Sequence, residues 1–294
     1  MIPKELAKKI RYIQISTRKT VNDVLAGEYN SLFKGRGMEF DEVREYTPGD
    51  EIRSIDWNVT ARTGYPHIKQ YREERELTAL FLVDLSASGE FGSVNALKNE
   101  VAAEICAVLA FSAIKNNDKV GLIIFTDRVE LYIPPKKGTR HVLRVIRELL
   151  TFHPKQARTD ITGALEFAGR VTKKRGVLFL VSDFLGSGYE RMLRTLAKRH
   201  DVIGVSVTDP RELVMPGVGL LELEDSETGE VILLDTGSAK VRKGFEREGR
   251  ERIAALKEIL ATSGVDQVDV RTDKDYVREL VRFFRTRERR RKTA

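Results

Sequence analysis

Between residues 79 and 208, four short apolar runs each end at a polar residue. They occupy residues 79–84, 120–126, 177–183 and 202–208. Stretches with apolar residues at helical spacing follow them, at about residues 94–115, 138–151, 161–173 and 189–199. Strands that are apolar throughout are buried on both faces, and strands that alternate with helices form parallel sheets. The pattern therefore predicts an α/β fold with a mostly parallel central sheet flanked by helices.

Two further β elements are predicted, an edge strand within this region and a hairpin after it. Residues 129–134 are too few for a crossover, so an antiparallel edge strand is expected there. The apolar segments 220–223 and 231–234 flank the turn-forming residues 225–230 and predict a β-hairpin. The domain is completed by a long helix, a short strand and a last helix, over about residues 238–263, 267–271 and 274–287.

The first quarter of the chain has a different pattern. Apolar residues at helical spacing over residues 4–26 predict an N-terminal helix that stops at Gly27. Residues 28–76 are dense in turn formers and aromatic residues, with a predicted strand over 38–46 and an extended segment over 65–71. A small β-rich module is expected there. The predicted domains are the helix with this module, the sheet domain and a basic tail, over residues 1–76, 77–287 and 288–294.

The C-terminal end of the chain is strongly basic. The formal net charge is +7, and six Arg or Lys residues between positions 285 and 292 accompany only Glu288. Such a run is predicted to be a frayed, solvated tail; the alternative is contact with nucleic acid, anionic lipid or an acidic partner. Because no aromatic residues are interleaved for base stacking, nucleic acid is the least favoured of these partners.

Hydropathy and the number of cysteines indicate the cellular compartment of the protein. No stretch reaches about eighteen uninterrupted apolar residues, so no membrane span is predicted. The one cysteine, Cys106, excludes internal disulfides and lies in an apolar helical pattern, as expected of a packed core thiol. We therefore expect a cytoplasmic protein.

Oxygen-bearing side chains follow three segments of the predicted sheet domain. Asp84, Ser86 and Ser88 come at every second position after the first apolar run. Asp183 ends the third run, and Thr159 precedes a predicted helix. The carboxyl ends of parallel strands share one edge of the sheet, where ligands bind, so these side chains are expected to converge. Carboxylates and hydroxyls are the donors that a hard cation such as Mg²⁺ prefers.

Three motifs resemble the metal-ion-dependent adhesion site of von Willebrand factor type A (vWA) domains. They are Asp84-x-Ser86-x-Ser88, Arg158-Thr159-Asp160-Ile161-x-x-Ala164-Leu165 and Val181-Ser182-Asp183. The resemblance covers roughly residues 77–287 and implies a vWA-like, Rossmann-like fold. It implies five metal ligands, which are Asp84, Ser86, Ser88, Thr159 and Asp183. The implied ion is Mg²⁺, with Ca²⁺ or Mn²⁺ as alternatives, and it would bind an acidic residue of another protein.

The N-terminal module resembles domain-of-unknown-function family 58, which joins such a module to a vWA domain. The matching motifs are Gly35-Arg36-Gly37-Met38-Glu39-Phe40, Arg44-Glu45-Tyr46-x-Pro48-Gly49-Asp50, Arg53-x-Ile55-Asp56-Trp57 and Ala61-Arg62. Genes of that family often neighbour MoxR-type AAA+ ATPases, and many relatives carry N-terminal membrane helices. The resemblance implies an adaptor or co-chaperone that helps a MoxR-like ATPase to select or remodel a client.

The charged signature of this module has two interpretations. Its members alternate in sign around Trp57, and they are Arg44, Asp50, Arg53, Asp56 and Arg62. The structural interpretation is an ion-paired turn pinned by a buried indole. The functional interpretation is a docking surface for the ATPase. Replacing Arg53 with Ala separates the two, because the first predicts loss of folding and the second predicts loss of binding with unchanged melting.

Catalysis is the alternative function. A metal at this edge would also suit a phosphohydrolase or nuclease. However, the second position after Asp84 is Ser86 rather than another acid, and the chain has no Gly-x-x-x-x-Gly-Lys-Ser/Thr or strand-linked Gly-x-Gly-x-x-Gly phosphate loop. The four histidines are scattered; a Ser-His-Asp triad stays open by spacing, although Ser86 lacks a Gly-x-Ser-x-Gly context. We therefore expect a non-catalytic, metal-dependent interaction protein.

Overall fold

The computed structural model describes residue 29 and residues 37–74, 77–94, 96–154, 158–224 and 229–293. The described residues fall into two compact units, which divide at residues 32/33 and 76/77 of the chain. The smaller unit holds residues 37–74, and the larger unit holds residue 29 and everything from Leu77 onward. The helix predicted over residues 4–26 lies outside the described residues.

The smaller unit is a two-stranded antiparallel ribbon with one short helix. Its elements are β1 (Gly37–Glu45), α1 (Trp57–Thr63) and β2 (His67–Glu74). Asp56 begins α1, since its carboxylate accepts hydrogen bonds from the backbone N–H groups of Asn58 and Val59. Gly64 ends the helix with φ of +79°, a left-handed conformation that glycine adopts without strain. The predicted strand and extended segment of this region are both present.

Two members of the charged signature, Arg44 and Asp50, form an ion pair with each other, but the tryptophan of the signature is not buried. Arg44 binds Asp50 through two nitrogens at 2.7 and 2.8 Å. This pairing, with hydrogen bonds from Thr47, holds the pKa of Asp50 well below its usual range. Trp57 is 67% exposed, so the interpretation of a turn pinned by a buried indole is wrong. Trp57 is the first residue of α1 and follows the cap directly.

The larger unit alternates strands and helices. Its strands are β3 (Thr78–Asp84), β4 (Lys119–Phe125), β5 (Val129–Lys136), β6 (Val177–Ser182), β7 (Asp201–Thr208), β8 (Leu220–Glu224), β9 (Val231–Asp235) and β10 (Asp266–Arg271). Its helices are α2 (Lys98–Lys115), α3 (Thr139–Thr151), α4 (Ile161–Val171), α5 (Glu190–Ala197), α6 (Ala239–Thr262) and α7 (Tyr276–Thr293).

Six of these strands form one sheet in the order β10-β7-β6-β3-β4-β5. The first five of that order are mutually parallel, and β5 pairs antiparallel with β4 at the edge. Strands β8 and β9 form a separate antiparallel pair, which confirms the predicted hairpin. The α/β fold with a mostly parallel central sheet flanked by helices is therefore confirmed, together with its antiparallel edge strand.

The two faces of the sheet carry separate apolar layers. Leu80 and Leu82 pack in a cluster with buried residues of α4, α5 and α6. Phe81 lies between them in sequence and therefore faces the other side, where its ring stacks on that of Phe179 at 5.1 Å. Cys106 is buried in α2, and burial raises the pKa of its thiol well above its ordinary value, so it is a core thiol as predicted.

Two predicted boundaries were wrong. The helix expected from residue 94 begins at Lys98, after a non-helical segment closed by a hydrogen bond from Lys98 N to Phe91 O. The last helix continues to Thr293, so residues 288–293 are helical rather than a frayed tail. Within the described residues, no helix is both long enough and apolar enough to cross a membrane.

Candidate metal centre

The order of the strands creates a crevice between β3 and β6. The chain leaves β3 toward β4 on one side, whereas β6 lies on the other side of β3. In open parallel sheets, such a change of direction leaves a crevice at the carboxyl ends of the strands, and ligands bind there. Asp84 is the last residue of β3 and Asp183 follows β6 directly. The two acids predicted from the sequence therefore stand at this position.

Asp84 is held by hydrogen bonds on both carboxylate oxygens. Oδ1 accepts from the backbone N–H of Ser86 at 3.0 Å, and Oδ2 accepts from the hydroxyl of Ser182 at 2.7 Å. The residue is 7% exposed. Burial, and then the charge of Asp183, raise the pKa of Asp84 to about 6. A buried carboxylate with a raised pKa beside a second acid is typical of a functional site.

Two hydroxyls complete the floor of the crevice. Ser86 and Ser88 flank the start of a short 3-10 helix, Ala87–Glu90, and both are buried. Their Oγ atoms are 3.0 Å apart. The alternation of Asp84, Ser86 and Ser88 in sequence thus becomes three oxygen-bearing side chains around one point.

Asp183 has a basic partner that the sequence pattern did not indicate. Lys98 Nζ donates to Asp183 Oδ2 at 2.7 Å and to Glu212 Oε1 at 2.5 Å. The side chain of Lys98 is 3% exposed. Burial by itself lowers the pKa of Lys98, but the charges of Asp183 and Glu212 outweigh it and raise the pKa above the ordinary value. The lysine is therefore a buried ammonium ion.

The cavity among these side chains is the size of an ion. Its volume is about 20 Å³, and its lining includes Asp84, Ser86, Ser88, Lys98 and Asp183. A space of this size holds one water molecule or one ion, whereas sites for organic ligands usually measure about 300–1,000 Å³. The donors other than the ammonium group are carboxylate and hydroxyl oxygens, which suit Mg²⁺, Ca²⁺ or Mn²⁺. The donor set therefore fits a hard divalent cation.

Thr159 is placed near this edge but is not among the residues that line the cavity. The following residue, Asp160, donates its N–H to Thr126 O at 2.8 Å, just beyond the end of β4. Asp160 also begins α4, with its carboxylate accepting from Gly163 N at 2.9 Å. The loop thus stands one strand away from β3, and the structure brings together four of the five predicted ligands.

A larger groove adjoins the cavity, and Asp183 belongs to the walls of both regions, whereas Glu212 lines the groove. It encloses about 200 Å³ and is largely apolar. Its walls come from the loop after β6, the end of β7 and the helix α6, through Phe184, Leu185, Tyr189, Arg252, Leu256 and Ile259. The ion-sized cavity therefore opens beside a surface that suits apolar side chains.

Three residues of the site were not found from the sequence. Lys98 gave no signal, because a lysine at the start of a helix is normally exposed. Ser182 belongs to the motif Val181-Ser182-Asp183, whose pattern indicates no role for it. Glu212 had a signal that was missed: Asp209-Pro210-Arg211-Glu212 directly follows an apolar run, and it forms a 3-10 helix with a capping box at the same edge of the sheet.

Comparison with known proteins gives a family and several relatives. A sequence profile described as protein of unknown function DUF58 matches residues 42–255. The uncharacterized protein Rv1480 of Mycobacterium tuberculosis is 33% identical over 288 residues, which cover 97% of this chain and 90% of that protein. YeaD of Bacillus subtilis, also uncharacterized, is 26% identical over 111 residues, or 38% of this chain and 26% of that protein.

Solved structures with a similar fold were also found. The conserved hypothetical protein BatB of Bacteroides thetaiotaomicron matches with a TM-score of 0.48 and 19% identity, over 72% of this chain and 99% of that chain. The VWA domain of SpRpn10 matches with a TM-score of 0.40 and 12% identity, over 70% of this chain and 94% of that chain.

Proposed function

The chain belongs to the DUF58 family of proteins of unknown function, and from this premise and the acids at the sheet edge we propose that it is a non-catalytic protein that binds a partner through a divalent cation. The observation that carries the proposal is the ion-sized cavity between Asp84 and Asp183, with two serine hydroxyls on its floor. A site of this size has room for an ion but leaves any larger ligand outside.

The roles of the residues follow from their contacts. Asp84, Ser86, Ser88 and Asp183 would hold the ion, with Thr159 as the fifth ligand that the sequence motif implies. The hydrogen bonds from Ser86 N and Ser182 Oγ fix the Asp84 carboxylate in one orientation. Mg²⁺, or Ca²⁺ or Mn²⁺ in its place, supplies when bound a coordination position for a carboxylate from another protein. Two carboxylates formally balance the charge of such an ion, and together with two hydroxyls they leave coordination positions of a six-coordinate ion for further oxygen donors.

The partner we propose is a MoxR-type AAA+ ATPase or its client, bound through an acidic residue. In this role the protein is an adaptor or co-chaperone in the cytoplasm. Support comes from the resemblance of the sequence to a family whose genes neighbour such ATPases, and from the apolar groove beside the cavity, which offers contact area next to the ion. A carboxylate that meets a cation in a drier interface gains more than an exposed ion pair does.

A phosphohydrolase or nuclease at the same edge of the sheet is the alternative function. The sequence argues against it, because Ser86 stands where a second acid would be needed as general acid. Assays with generic phosphoesters and Mg²⁺ should give no turnover that depends on Asp183. Turnover that disappears in Asp183→Ala would replace the proposal with the enzymatic alternative.

The proposal is tested by capture of the ATPase with the purified protein. We expect capture with Mg²⁺, loss of capture with EDTA, and loss in Asp84→Ala and Ser86→Ala. Ser112→Ala is the matched control, because Ser112 is equally buried but bonds only to Val108 O within its own helix in the described contacts. Equal capture by all four proteins, with or without EDTA, would contradict the proposal.

A further inference from the structure

The ammonium group of Lys98 occupies the place where a cation would meet Asp183. Its Nζ lies between Asp183 Oδ2 and Glu212 Oε1, at 2.7 and 2.5 Å. Lys98 is the first residue of α2, and 85 residues separate it from Asp183 along the chain. The lysine side chain lines the same cavity as Asp84, Ser86 and Ser88.

We infer that Lys98 is a built-in competitor of the divalent cation: ion and ammonium bind Asp183 in alternation, and Glu212 receives the ammonium when the ion is bound. The inference rests on the proposed function, because it describes how loading of the same site is regulated.

Charge gives the first reason. Asp84, Asp183 and Glu212 carry three negative charges when ionised, against the single positive charge of Lys98. The net charge of −2 attracts a divalent cation. However, the ammonium group is already paired with Asp183, which is one of the two acids that would bind the cation. Two cations at hydrogen-bonding or coordination distance from one carboxylate oxygen repel each other strongly in a buried setting.

Geometry gives the second reason. A divalent ion such as Mg²⁺ binds carboxylate oxygen at about 2.0–2.1 Å in a fixed octahedral array. Asp183 Oδ2 already receives Lys98 Nζ at 2.7 Å, and the lysine lines the cavity of about 20 Å³ in which the ion would sit. A divalent ion and the ammonium group would therefore compete for this one oxygen.

Glu212 is positioned to bind the Lys98 ammonium group when Asp183 binds the ion. Its Oε1 already accepts from Lys98, and its Oε2 accepts from Asp209 N at 3.0 Å. Asp209 is itself fixed, because its carboxylate accepts from Ser93 N at 2.9 Å and from Thr272 Oγ1 at 2.8 Å. The receiving carboxylate is thus held in place whether or not Asp183 shares the ammonium. A buried lysine that lost both acids would be strongly destabilising, and this arrangement avoids that state.

The experiment is a titration of the purified chain with Mn²⁺ alone, read by electron paramagnetic resonance of the free ion. Lys98→Gln should bind Mn²⁺ at least tenfold more tightly than the wild type. Glu212→Gln should bind it more weakly, because Lys98 keeps Asp183 as its one charged partner. In the double variant Lys98→Gln/Glu212→Gln, the loss caused by the Glu212 change should shrink, since no lysine remains to be received.

The matched control is Arg287→Gln. Arg287 is likewise a buried cation between two acids, Asp201 and Asp266, but both of these begin strands and so lie at the opposite edge of the sheet. Its substitution should leave Mn²⁺ affinity within twofold of the wild type. Equal losses from Glu212→Gln with and without Lys98, or affinity in Lys98→Gln that is unchanged or weaker than that of the wild type, would overturn the inference.

A measurement on the wild-type chain covers the case in which Lys98→Gln does not fold. The ¹⁵N resonance of the Lys98 ammonium group should shift on saturation with Mg²⁺, and a resonance that stays in place while Mg²⁺ binds would overturn the inference. Neither readout requires a partner. Tight Mn²⁺ binding in Lys98→Gln together with no partner capture by the wild type would therefore support the competition and contradict the proposed function.

Discussion

The hydroxyl of Ser182 donates a 2.7 Å hydrogen bond to Asp84 Oδ2, and this bond joins the ends of strands β6 and β3. Ser182 Oγ also accepts from the backbone N–H of Phe184 at 3.0 Å. One hydroxyl thus orients the buried acid and fixes the loop that carries Asp183. Removal of this oxygen should disturb the site and the stability of the sheet together.

Ser182→Ala should lower the free energy of unfolding by about 1–3 kcal/mol, because it leaves a buried carboxylate and a backbone N–H without this partner. Urea denaturation at pH 7.5 measures the loss. Ser206→Ala is the matched control: Ser206 lies directly beside Ser182 in the register of β6 and β7. Its hydroxyl has acceptors at 3.3 and 3.4 Å and accepts from the side-chain amide of Gln267 at 3.0 Å, but it does not bond to Asp84. A larger loss in Ser206→Ala would contradict the importance given to the Ser182 hydroxyl.

Mg²⁺ should stabilise the wild-type chain and EDTA should remove that stabilisation. A ligand present at one hundred times its Kd contributes about 2.7 kcal/mol to the folded state. Asp84→Asn should abolish this effect, since an amide is a poor ligand for a hard cation, while the chain stays folded without metal because a buried charge is removed. The measurement is the midpoint of thermal unfolding with Mg²⁺ and with EDTA.

Asp160→Asn serves as control for the Mg²⁺ experiment. Its carboxylate begins α4 and is exposed, so the substitution should retain the full response to Mg²⁺. A response of Asp84→Asn as large as that of the wild type would exclude Asp84 as a ligand.

Asp118 should make stability depend on pH. Burial raises its pKa to about 6 in the folded chain, against 3.8 as its ordinary value. A folded pKa above the unfolded one contributes stability that is complete below about pH 4 and is lost as the pH rises through 6. Asp118→Asn removes this loss, so its advantage over the wild type should grow by about 1–2 kcal/mol between pH 4 and pH 7.5. Denaturation at both pH values measures the difference, and an advantage that is constant with pH would contradict it.

The contribution of the last helix to the stability of the fold should depend on Arg287 far more than on Arg290. Arg287 is buried and pairs with Asp201 and, at 2.9 Å, with Asp266, whereas Arg290 is exposed and reaches Asp266 at 3.5 Å. Arg287→Ala should cost about 1.5–3 kcal/mol, because it removes charge-assisted hydrogen bonds to the partly buried acids Asp201 and Asp266. Arg290→Ala should cost less than about 1 kcal/mol. Chemical denaturation of both variants measures the two losses, and similar values would show that the buried pairs add little.

The central strands were predictable because burial on both faces leaves a clear pattern. Strands β3, β4, β6 and β7 begin and end within one residue of the predicted runs. Asp84 and Asp183 stood out because an acid interrupts an apolar run abruptly. The end of the last helix was not predicted, because a run of basic residues is normally solvated; here buried and exposed ion pairs to strands β7 and β10 extend it.

Features that depend on contacts between distant residues could not be predicted. The burial of Lys98 follows from acids 85 and 114 residues further along the chain. The exposure of Trp57 depends on tertiary packing, which the spacing of apolar residues in the sequence does not reveal. The ligand role of all five predicted residues stays a prediction, and Thr159 is the one that the structure leaves outside the cavity lining.

The order of the strands also has a consequence for folding. Asp84 meets Ser182 across 98 residues, and the strands between them in sequence, β4 and β5, lie on the far side of β3. Contacts between residues so far apart in sequence form slowly, after local helices and hairpins have formed. The ion-sized cavity therefore does not exist in a nascent chain until β6 has docked beside β3, so an ion that bound there would report completion of the sheet core.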